Sequence, residues 1–76
     1  MKAKEAIAIF KSRCPDFKIT GYWEDGDDII LNTSPLYNKE AEEVCQFIVL
    51  SNGAIQGTNP LHNEVIIDQP MHLVDD

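Results

Sequence analysis

The chain has no Lys or Arg after Lys39, only two cysteines, and no apolar run approaching membrane-spanning length. Each shortage excludes a class. A bilayer-spanning helix needs about 18 or more consecutive apolar residues. No basic start leads into an apolar segment, so no secretory signal is expected and the expected compartment is the cytoplasm. Cys14 and Cys45 are too few for a disulfide framework. Thirteen acidic against six basic residues leave a net charge of −7, which makes direct contact with nucleic acid unfavourable, and with no spanning run no membrane partner is expected. What is there is an apolar fraction of 43%, enough to exclude a disordered acidic tail. Seventy-six residues suit one small domain, spanning 1–76 with a flexible polar end over 68–76.

The charge is unevenly spread. Lys2, Lys4, Lys11, Arg13 and Lys18 stand against Glu5 and Asp16 in residues 1–18. Glu24, Asp25, Asp27 and Asp28 then face only Lys39, and residues 40–76 carry acids alone. A basic first segment thus precedes an acidic remainder. Such a gradient serves internal complementarity and solubility, or aims an acidic surface at a basic partner.

Lys2 to Arg13 reads as an amphipathic helix, with Ala3, Ala6, Ile7 and Phe10 recurring at spacings of three and four. Pro15 disfavours helical geometry at Cys14 and ends it. Phe17 to Trp23 alternates as a strand, Glu24-Asp25-Gly26 turns, and Asp27 to Thr33 returns. A three-residue loop with Gly26 left-handed would pair Trp23 with Asp27, Gly21 with Ile29 and Ile19 with Leu31, gathering the apolar residues on one face. That register puts Trp23 beneath the helix and Tyr22 on the opposite, open face. Residues 39–43 have room for a helical turn. Val44 to Leu50 is apolar on both faces except Gln46, as in a central strand covered on both sides. Asn52-Gly53 signals a second hairpin, with Ala54 to Thr58 returning, and Val65–Ile67 is a candidate edge strand. The expected fold is α+β, an N-terminal helix packed on a four-stranded antiparallel sheet made of two hairpins.

The stretches Ala6-Ile7-Ala8-Ile9-Phe10-Lys11-Ser12-Arg13-Cys14-Pro15 and Phe47-Ile48-Val49-Leu50-Ser51-Asn52-Gly53-Ala54-Ile55-Gln56-Gly57-Thr58-Asn59-Pro60 resemble two elements of small Gram-positive phage and prophage proteins. Their helix-then-strands order is also similar to PepSY-type modules. The likeness spans residues 3–60, with Cys14 in place of an aromatic and Ser51-Asn52-Gly53 in place of Thr-Gly. It implies a mobile-element origin and a binding rather than a catalytic role, with no catalytic residue to carry over.

The chemistry-bearing residues point the same way. Cys14, Cys45, His62 and His72 lack the close spacing of a zinc site, and the cysteines read as small core hydrophobes. Glu24 to Asp28 lacks the alternate spacing of a calcium loop. No catalytic, metal or cofactor residue is therefore expected. Tyr22, Trp23, Asp25, Asp27, Asp28 and Tyr37 form the candidate partner-binding edge, because aromatics beside acids suit recognition. One helix covers one face of a sheet, so the other, around Ile30 and Phe47, is the candidate surface for self-association into a dimer. The expected function is a non-enzymatic protein-interaction module. The alternative is an acidic, nucleic-acid-mimicking inhibitor of a host nucleic-acid-binding protein.

Overall fold

The structure, a computed structural model, describes residues 1–36, 45–58 and 69–74. Helix α1 (Ala3–Arg13) precedes strands β1 (Phe17–Asp25), β2 (Asp28–Pro35), β3 (Cys45–Val49), β4 (Ile55–Thr58) and β5 (His72–Leu73). All neighbouring strands pair antiparallel, in the order β4-β3-β2-β1-β5. The α+β fold with an N-terminal helix on an antiparallel sheet is as expected, but among the described residues the sheet has five strands, not four. The fifth lies in the segment expected to fray. The helical turn over 39–43, the edge strand at Val65–Ile67, and Val44 and Tyr37 fall outside the described residues.

Helix α1 ends where Pro15 requires, its last turn closed by the Cys14 N–H donating to the Phe10 carbonyl at 2.7 Å. Glu5 in the first turn and Lys11 and Arg13 in the last complement the helix dipole. The Arg13 guanidinium donates to the Gly53 carbonyl at 2.9 Å and ties the helix end to the β3–β4 turn. Ala6 and Phe10 are fully buried against Ile19, Ile29, Leu31 and Val49. Phe10, Phe17 and Phe47 form a ring cluster with centroids 5.0 to 6.2 Å apart.

The first hairpin differs from expectation in loop and register. Asp25 pairs with Asp28, leaving a two-residue loop of Gly26 and Asp27. Gly26 has φ +59° and Asp27 is not positive, the φ pattern of a II′ hairpin turn. The left-handed Gly26 was legible, the loop length was not. Farther along, the register shifts between Ile19 and Gly21, so that Ile19 faces Thr33 but Gly21 faces Asn32. Thr20 is the extra residue of this bulge. Its hydroxyl donates to the Asn32 carbonyl at 3.1 Å and accepts from the Asn32 side-chain amide at 2.9 Å.

The bulge reverses the alternation of β1. Before it, Phe17 and Ile19 pack toward the helix. After it, Tyr22 packs on that side, and Trp23 joins Ile30, Ile48 and Met71 in a second cluster. The expected placement of Trp23 under the helix and of Tyr22 opposite is therefore reversed. A shift of one residue moves every later side chain to the other face.

Candidate interaction surface

The second face of the sheet is not open as expected. Ile30 is 2% exposed and Trp23 9%. Residues 69–71 lie against this face, with Met71 packed on the pair and the Trp23 indole N–H donating to the Gln69 carbonyl at 3.1 Å. Phe47 belongs to the helix-side core, so Ile30 and Phe47 lie on opposite faces and form no common patch. The reason is the alternation of paired strands: Phe47 faces Leu31 in the register, one residue out of phase with Ile30. Asn32 and Gln46 extend this face as a polar ladder, the Gln46 amide donating to Asn32 Oδ1 at 3.4 Å.

The candidate partner edge is only partly assembled. Glu24, Asp25 and Asp27 are exposed at the hairpin tip. Asp28 is half-buried and accepts the Ser51 backbone N–H at 2.9 Å, which makes it a brace between the two hairpin turns. The amino terminus donates to the Asp27 carbonyl at 3.3 Å. Tyr22 is half-buried and stacks on His72, centroids 4.9 Å apart and planes 20° apart. Trp23 is buried, and Tyr37 lies outside the described residues.

Sequence reasoning missed the strap made by residues 69–74. Val74 donates its backbone N–H to the Thr20 carbonyl at 3.1 Å, and β5 pairs Leu73 with Gly21 and His72 with Tyr22. The signal that would have found it is Gly21. A lone glycine within a strand marks a bulge or a close approach. A Cβ there would come within 2.5 Å of the Met71 side chain and 2.9 Å of the His72 carbonyl. On the strap Leu73, opposite Gly21 in the register, is 83% exposed, an apolar side chain on the outermost strand.

A concavity of about 460 Å³ lies where the helix returns to the sheet, lined by Lys11, Pro15, Phe17, Lys18 and Leu36. Cys14 and Cys45 are free thiols, both half-buried. Among the described residues no group of three metal-ligating side chains converges, and no helix is long and apolar enough to cross a membrane. No family model matches this chain, and no curated protein or solved structure is significantly similar to it.

Proposed function

We propose that this chain is a non-enzymatic protein-interaction module that binds a partner protein along the outer edge of β1, beside the acidic hairpin tip. The observation that carries this reading is the mismatch between β1 and its outer neighbour. β1 is nine residues long and pairs with β2 almost throughout, whereas β5 pairs with it at two positions. Among the described residues the Glu24–Asp25 end of β1 has no outer neighbour, and such an end offers backbone groups to another extended chain. The exposed Leu73 and the carboxylates of Glu24, Asp25 and Asp27 supply apolar area and charge at the same edge. Both are features of a surface that selects an apolar, basic partner.

Affinity capture tests the reading with three baits: the native chain, Leu73→Lys, and the double variant Asp25→Lys/Asp27→Lys. A protein retained by the native chain and lost by both variants supports an interface at this edge. Equal retention by all three overturns it. Binding that depends on the tip charges alone and ignores Leu73 instead favours electrostatic mimicry of nucleic acid. Sedimentation velocity over a concentration series tells a second copy of the chain from a different partner.

A further inference from the structure

The strap made by residues 69–74 stops pairing with β1 before Glu24 and Asp25, and that shortfall specifies what would fit better. We propose that the outer edge of β1 receives an extended partner segment carrying two basic residues followed by an unbranched apolar one, and that residues 69–74 are a displaceable occupant of that seat. The inference rests on the reading of this edge as the docking edge.

The register supplies the argument. Leu73 faces Gly21 and His72 faces Tyr22. Continued by three residues, the same antiparallel register would set Met71 opposite Trp23, Pro70 opposite Glu24 and Gln69 opposite Asp25. Pro70 has no N–H to donate, so the ladder stops after His72. The end of β1 that carries Glu24 and Asp25 therefore has no strand pairing on its outer side among the described residues. A segment with Lys or Arg in place of Gln69 and Pro70 would restore the donor and set cations opposite two exposed carboxylates. The next residue must be flexible and unbranched. It has to lie over Gly21, where even a methyl group would clash with Met71, and still reach Trp23 and Ile30. Methionine meets both demands.

The probes are two labelled peptides, Lys-Lys-Met-His-Leu-Val and the chain's own Gln-Pro-Met-His-Leu-Val. The receptor is the full chain with Tyr22→Cys and His72→Cys, in a background of Cys14→Ser and Cys45→Ser. Directly paired antiparallel residues lie at a separation that a disulfide spans. Oxidation then locks the strap, and reduction frees it. The lysine peptide is expected to bind the reduced form about ten-fold tighter than the other peptide at low salt, with the gap closing in 0.5 M salt. It is expected to lose that binding on oxidation. Equal binding to oxidised and reduced forms, or none to either, overturns the proposal.

Hydrogen exchange on the native chain covers the case in which the cysteine variant does not fold. The Val74 amide is expected to exchange at least about ten-fold faster than amides shared by β2 and β3. Exchange at the rate of global unfolding overturns a displaceable strap. The two readings fail differently. Equal capture by the native, Leu73→Lys and Asp25→Lys/Asp27→Lys chains removes the docking edge altogether, whereas capture by locked and unlocked chains alike removes the displaceable strap and leaves that edge. Capture lost on locking, without lysine-peptide binding, removes only the basic segment proposed here.

Discussion

Thr20 is the residue by which β1 outnumbers β2 at the bulge, so its removal would leave Ile19 opposite Thr33 and Gly21 opposite Asn32 in an unbroken ladder, with Tyr22 and Trp23 on the faces they now hold. The Thr20 deletion is therefore expected to retain cooperative thermal unfolding followed by circular dichroism, with a Tm lowered by the loss of the hydrogen bonds to Asn32. Thr20→Val keeps the residue count and loses two hydrogen bonds to Asn32. Its expected cost is about 1–3 kcal/mol in urea denaturation, most of it from polar groups left unpaired on a half-buried surface. At Gly21 the constraint is space. Gly21→Ala should destabilise by about 1–3 kcal/mol, and Met71→Ala in the same chain should recover part of that loss, since the two sites share one contact. The remainder belongs to the His72 carbonyl, which no side-chain change moves.

At the scale of elements, α1 holds the sheet through one large side chain. Phe10 is fully buried and touches both Phe17 and Phe47. Phe10→Ala removes it from the centre of the ring cluster, at an expected cost of about 3–5 kcal/mol. At about 0.1 kcal/mol per residue a chain of this length would keep only about 3–5 kcal/mol after that loss, a drop that a lower urea midpoint followed by far-ultraviolet circular dichroism would register. This helix was legible because its spacing and Pro15 act locally. The left-handed glycine of the first turn and the interior β3 strand were legible for the same reason: each is a property of a few adjacent residues. The bulge was not, because alternation from Phe17 to Trp23 is unbroken in the sequence and two hydrogen bonds to Asn32, twelve residues away, override it. The same non-locality hid β5, whose two residues become a strand only against Gly21 and Tyr22. The candidate site suffered most, since Tyr22 and Trp23 exchange faces through that one register shift.

Across the whole molecule, charge acts in two opposed ways. A net −7 on 76 residues repels itself, while Lys2 and Lys4 begin a helix whose amino terminus sits on the acidic hairpin tip. Screening weakens both effects, and the net repulsion dominates because acidic residues outnumber basic ones two to one. Raising NaCl from 0.02 to 0.5 M should therefore raise Tm by a few degrees in scanning calorimetry. Lys4→Glu should lower Tm at low salt and lose most of that effect at high salt.

Pairing of β1 with β5 also has a consequence in time. Gly21 and Leu73 are joined across the sheet edge but separated by roughly fifty residues of chain. At ~5–20 residues per second, ribosomal synthesis leaves a delay of about 3–10 s between the two. Through that interval the helix and first hairpin can form, while Trp23 and Ile30 wait without Met71 and the outer edge of β1 is bare. The nascent chain thus passes through a period of greatest stickiness before its last strand arrives. Whatever protein is nearest the ribosome in those seconds meets that edge before the chain's own strap does.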